Sequence, residues 1–204
     1  MLIFIAGIFA GLIHVFSGPD HLAAIAPLVV KHRTRAWVAG LRWGVGHASG
    51  VAMVGLLSLT LRGVLPVDLI SNWSDRIVGA MLIGIGLWAF RKALGSQEQA
   101  NQNSAIKHPH VHAAFGIGAL HGLAGSSHFL AILPSLALPS NTLAAVYLAG
   151  YGIGTVLAMT TFSSAMACLT RRFANLNFGY RGLMTASAAV AVAVGCFWAS
   201  GFNL

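Results

Sequence analysis

Charged side chains are scarce in this 204-residue chain: only 8% of it is Asp, Glu, Lys or Arg, and just four residues are acidic. A soluble domain of this length needs a polar shell that such a composition cannot supply. With 57% hydrophobic residues and a mean hydropathy of +0.78, the chain reads as an integral membrane protein. Cysteine is nearly absent as well. Cys168 and Cys196 lie in apolar runs without C-x-x-C spacing, so neither a disulfide framework nor a thiol redox site has support, and both read as small core residues. No G-x-x-x-x-G-K-[ST] segment occurs to bind ATP. The lack of H-E-x-x-H, with Asp20 the one carboxylate expected deep in the membrane, leaves an intramembrane hydrolase without a general base. The chain is therefore not expected to be an enzyme. The first residues contain neither a basic n-region nor an A-x-A site, so the opening apolar run is expected to be a retained span.

Apolar runs of crossing length occur near residues 2–29, 37–61, 73–93, 113–138, 142–168 and 179–200, which predicts an all-α, polytopic protein of six transmembrane helices. The net charge of +8 comes from residues in short connections and is read as topology-setting, with no nucleic-acid partner. Ten of the twelve basic residues, Lys31, Arg33, Arg35, Arg42, Arg91, Lys92, Lys107, Arg171, Arg172 and Arg181, fall on one side. That side should be cytoplasmic, in a multi-pass protein of the cell's inner membrane with both termini outside.

An internal repeat is legible. At an offset of 107, Gly11, His14, Gly18, His21, Ala24, Ile25 and Pro27 fall on Gly118, His121, Gly125, His128, Ala131, Ile132 and Pro134. At an offset of 108, Trp43-Gly44-Val45-Gly46 falls on Tyr151-Gly152-Ile153-Gly154, and His47 falls on Thr155. Residues 1–94 and 113–204 are therefore expected to be two three-helix repeats, joined by a polar cytoplasmic linker over 95–112. Three spans per repeat would invert one against the other, a plan common among secondary transporters. The paired glycines are expected to serve helix packing.

Ser17-Gly18-Pro19-Asp20 and Gly125-Ser126-Ser127 should break the first and fourth helices near mid-membrane, where freed backbone groups can line a polar cavity. Ser17 and Asp20 have capping-box spacing for the half-helix that follows. Residues seven apart on an unbroken helix stand about 10 Å apart, so a break would be needed to bring His14 to His21. Imidazole and carboxylate are ligands suited to nickel, cobalt, zinc or iron. His14, Asp20, His21, His121 and His128 are thus the expected metal residues, with His47 as a fifth imidazole. The second repeat has Ser127 in place of Asp20, so the charge should be asymmetric. His108, His110 and His112 form a His-rich tract open to two readings, weak metal capture or a solvated loop. Trp37, Trp43, His32 and Arg42 are expected at the membrane interface, and Thr160, Thr161, Ser163 and Ser164 are expected to bond their own helix.

The segment His14-Val15-Phe16-Ser17-Gly18-Pro19-Asp20-His21-Leu22-Ala23-Ala24, with Arg42-Trp43-Gly44-Val45-Gly46-His47 and His121-Gly122-Leu123-Ala124-Gly125, resembles the nickel/cobalt transporter superfamily, and within it the short, six-span, UreH-like urease-accessory branch. The resemblance implies a carrier of nickel or cobalt ions, with metal recognition at His14, Asp20 and His21. It also implies cytoplasmic partners such as a metal chaperone or urease accessory proteins. The better-known permeases of the superfamily have a shorter spacing before the Asp-His pair than the five residues found here. The divalent ion would be cargo, so no prosthetic cofactor is expected. Two rival readings are a haem-binding membrane redox protein and a carrier of another small substrate, such as an anion held at half-helix N-termini.

Overall fold

The computed structural model describes residues 1–31, 36–60, 67–95, 109–124, 127–172 and 179–200. All regular structure among them is α-helical: α1 (Leu2–Ser17), α2 (Pro19–Lys31), α3 (Ala36–Thr60), α4 (Val67–Leu94), α5 (Pro109–Leu123), α6 (Ser127–Leu136), α7 (Asn141–Arg172) and α8 (Gly179–Ala199). Three stretches, Trp73–Leu94, Asn141–Arg172 and Tyr180–Ala199, are long and apolar enough to cross a membrane. The α1–α2 pair makes a fourth if it is counted as one span. Sequence reading expected six. The polar groups and glycines of α3, Arg42, His47 and Gly50 among them, hold it below that apolarity, and the expected fourth crossing is divided between α5 and α6.

The break between α1 and α2 lies where Gly18-Pro19 interrupts the helix, and the two arms meet at a bend of 72°. Proline cannot donate an amide hydrogen to the preceding turn, so a new helix starts with it. Gly18 itself has an ordinary extended backbone, with φ of −86° and ψ of 101°. Glycine is required there for space, because a Cβ would run into the His21 ring and stand 2.8 Å from Asp20 Oδ1. The expected capping role of Ser17 is not adopted. Its hydroxyl donates back to Ile13 O at 2.7 Å, satisfying a carbonyl at the end of α1 rather than an amide at the start of α2.

Most helix packing joins a helix before residue 95 to one after residue 109: α1 lies on α7, α3 on both α5 and α7, and α4 on α8. Glycines set these crossings. A Cβ on Gly7 or Gly11 of α1 would strike the carbonyls of Tyr147 or Tyr151, and one on Gly150 or Gly154 of α7 would strike those of Phe4 or Ile8. The α3–α5 crossing repeats this, with Gly46 and Gly50 against Phe115 and Ala119, and Gly118 and Gly122 against Trp43 and His47. Residue numbers rise together across both contacts, so α1 and α7 run parallel, as do α3 and α5. Backbones this close gain dispersion and Cα–H···O contacts that larger side chains would prevent. By contrast, α4 and α8 run antiparallel, with Gly79 on Gly195 O and Gly86 on Ala188 O.

Polar and apolar residues are distributed as in a protein solvated by lipid. Phe9, Ile13 and Phe16 of α1, Met53, Leu56 and Leu57 of α3, and Ile153 and Leu157 of α7 face outward, whereas Asp20, His21, His47, His121, Thr155 and Ser163 are buried. This is a helical membrane protein. Cys168 and Cys196 are on the outward surface and not in the core, each on the outer face of a spanning helix. Trp37 is half exposed, as an interfacial residue should be, but Trp43 is fully buried because the glycine-lined α3–α5 crossing turns its face inward.

Candidate functional site

The bend between α1 and α2 draws the first turn of α2 beside the end of α1, and the His14 and His21 ring centroids come within 4.5 Å. Without that bend they would stand about twice as far apart. His47 of α3 joins them, its ring 4.8 Å from that of His21 and stacked at 5.7 Å on that of His14. From α5, His121 lies 4.7 Å from His21 and 5.6 Å from His47. Asp20 links α2 to α5. Its Oδ1 lies 3.0 Å from His21 Nδ1 and its Oδ2 lies 3.1 Å from His121 Nε2, both within ordinary hydrogen-bond range.

All of this is inside the protein except His14, which is half-buried. His21, His47 and His121 have no exposed surface, and Asp20 keeps 3%. A carboxylate in such a place is costly unless its surroundings compensate it. Asp20 sits in the first turn of α2, where unpaired amide groups and the helix dipole favour negative charge.

Two ligand sets meet here. His14, His21 and His47 each offer a nitrogen such that all three lie within 4.8 Å of one another, and Asp20, His21 and His121 do the same with a carboxylate oxygen. With metal–nitrogen bonds of about 2 Å, ligands on opposite sides of one ion stand about 4 Å apart. Small side-chain movements would therefore close either set around a transition-metal ion.

Sequence reading singled out His14, Asp20, His21, His47 and His121, and the fold brings these together. The side chain of His128 lies outside the described residues, as do those of Ser127, His32 and the His108–His112 tract. Two aromatic groups at the site were not anticipated there: Tyr151 faces His14 at 5.5 Å and Trp43 faces His121 at 6.0 Å. The repeat was the available signal, since Trp43 and Tyr151 are equivalent under it, as are His14 and His121. Thr160 and Ser164 donate to the carbonyls of Val156 and Thr160 on their own helix, at 2.7 and 2.8 Å, as expected. Ser163 is buried against Gly40.

The chain is similar to several curated proteins. Chloroplast protein FOR GROWTH AND FERTILITY 2 of Arabidopsis thaliana is 37% identical over 167 residues, which is 77% of this chain and 45% of that protein. Urease accessory protein UreH of Bacillus sp. (strain TB-90) is 26% identical over 173 residues, 78% of this chain and 73% of its own length. A protein of Methanocaldococcus jannaschii provisionally named as a nickel/cobalt efflux system is 23% identical over 176 residues, 81% of this chain and 76% of its own. The chain spans about half the length of the Arabidopsis relative. No family model matches it, and no solved structure matches it.

Proposed function

We propose that this protein is a secondary carrier that moves a divalent transition-metal ion, nickel before cobalt, across the cytoplasmic membrane. One observation carries the reading: a buried carboxylate and four imidazoles, three of them fully buried and His14 half-buried, converge from four helices within a membrane protein. Imidazole with a single carboxylate replaces the water of a borderline ion better than that of magnesium or calcium, which prefer all-oxygen shells. His14, Asp20, His21, His47 and His121 would hold the ion, with His128 as the further member expected from the repeat. The name of the Methanocaldococcus relative agrees with a metal cargo, and that of the Bacillus relative with a link to urease accessory function; urease accessory proteins or a metal chaperone would be the cytoplasmic partners.

Transport by two inverted three-helix repeats has its own support. The contact of Gly11 with the Tyr151 carbonyl maps onto that of Gly118 with the Trp43 carbonyl when the 107 and 108 offsets are applied. The contacts of Gly46 with Phe115 and of Gly154 with Ile8 map in the same way. The parallel α1–α7 and α3–α5 crossings and the antiparallel α4–α8 crossing are those that six alternating spans would require. Arg181 at the start of α8 donates to Ala93 O at the end of α4 at 3.1 Å, which gathers Arg91, Lys92 and Arg181 at one edge, the cytoplasmic one by charge. Imidazole centroids within 4.5–5.7 Å leave no space for a porphyrin between rings, which argues against the haem reading. Asp20 at the centre argues against an anion.

The test is uptake of radioactive nickel by proteoliposomes, with cobalt, zinc and manganese as competitors. Saturable flux that falls at least about 10-fold in His21→Ala and Asp20→Asn is expected, since loss of even a group that orients a ligand costs about 10- to 100-fold. Folded native protein that carries none of these metals would overturn the proposal.

A further inference from the structure

His21 belongs to both ligand sets at the site, and the two sets differ in charge. His14, His21 and His47 come from α1, α2 and α3 and are neutral as imidazoles, whereas Asp20, His21 and His121 come from α2 and α5 and include a carboxylate. An imidazole carries a nitrogen on each of two edges, so one ring can serve neighbouring positions in turn.

Resting on the carrier reading above, we infer that the site is two overlapping stations for one cation, which passes between them by exchanging His14 and His47 for Asp20 and His121 while His21 stays bound or adjacent. The stations cannot fill together. They share a ligand, and two dications a few ångströms apart in a dry interior would repel strongly. Overlap solves a difficulty of carrying an ion that sheds water reluctantly, because each departing ligand is replaced before the ion is bare. Binding that is adequate at several points and excessive at none is the general requirement for passage. The carboxylate makes the Asp20 station the tighter one, so the three-imidazole station is the place of entry or release. The bend at Gly18-Pro19 makes the overlap possible by seating the first turn of α2, with both Asp20 and His21, between the two groups of rings.

Equilibrium dialysis of Ni²⁺ against the purified full chain, paired with flux in proteoliposomes, tests this. Native protein is expected to hold one ion per chain. His47→Ala should keep that ion with affinity within about 3-fold of native, yet lose flux by about 10-fold or more, while Asp20→Asn should weaken binding by about 10- to 100-fold. His14→Ala, which removes the other imidazole exclusive to the neutral station, should repeat the behaviour of His47→Ala and guards against a folding defect in either variant. His21→Ala should abolish both binding and flux. Equal loss of affinity in His47→Ala and Asp20→Asn would mean a single five-ligand site and overturn the two-station scheme while leaving the carrier reading intact. Two ions per chain at saturation in protein carrying His108→Ala, His110→Ala and His112→Ala, or native flux in both His47→Ala and His14→Ala, would also overturn it. Native protein that neither binds nor carries the metal would instead remove the carrier reading on which the scheme rests.

Discussion

At Gly18 the absence of a side chain is what admits the site. His21 and Asp20 lie over its Cα, and neither can withdraw without giving up contacts to other helices. Gly18→Ala is therefore expected to displace the Asp20–His21 pair and to lower nickel affinity about 10-fold or more, the scale seen when the groups orienting a metal ligand are disturbed. Stability should fall by about 1–3 kcal/mol from the overpacking, although the extended backbone at residue 18 itself suits alanine. Unchanged affinity in dialysis would show that the pair tolerates the added methyl. Tyr151→Phe keeps the ring that faces His14 and removes only a buried hydroxyl. Its flux should remain within about 3-fold of native, whereas Tyr151→Ala, which leaves a cavity costing about 3–5 kcal/mol, should lower thermal stability and flux together.

Among the helices, glycine placement separates tight crossings from open surface. Gly154 rests on Ile8, and a Cβ there would collide with the Ile8 carbonyl and lie 3.0 Å from its Cα. Gly84, also mid-helix, has nothing within 4 Å of the same position. Gly154→Ala should thus cost about 1–3 kcal/mol by forcing α1 and α7 apart. Gly84→Ala should be neutral or gain up to about 1 kcal/mol from reduced backbone entropy in the unfolded chain. Unfolding midpoints in detergent that fell equally for both would refute the distinction. These crossings were only partly legible in the sequence. The aromatic-Gly-x-Gly repeat pointed to packing glycines, but the four-residue spacing of Gly7 with Gly11, Gly46 with Gly50, Gly118 with Gly122 and Gly150 with Gly154 was the more direct signal and was not drawn out. The break at Gly18-Pro19 was legible because proline acts through local covalent geometry. Which helix lies on which was not, since packing depends on surfaces far apart in sequence. Trp43 illustrates the limit: its local composition suggested an interface, and only the α3–α5 crossing decides that it is buried.

For the whole molecule, the outward apolar surface is the contact with lipid. The stripe of Ile5, Phe9, Ile13 and Phe16 on α1 is exposed, with Phe9 at 59%. Phe9→Lys should cost about 3 kcal/mol for placing a cation against hydrocarbon and reduce recovery in the membrane fraction, unless its stem reaches the headgroups. Recovery equal to native would place that face away from lipid. The candidate site was more legible than the architecture around it, because polar groups are conspicuous in an apolar chain. Histidines seven apart, repeated 107 residues later, mark themselves, whereas the pairing of Asp20 with His121 required the fold.

The crossings of α1 with α7, α3 with α5 and α4 with α8 also dictate an order of events in the cell. The helices before residue 95 are made first, and until the later ones arrive their glycine grooves are unfilled and Asp20 has its His21 contact but not its His121 contact. The early half is thus an unfinished object during synthesis, with a costly charge incompletely paired. Residues 1–95 produced alone should be degraded rapidly, and co-production of residues 96–204 should rescue them. The distance in sequence between partners sets how long the nascent chain remains vulnerable.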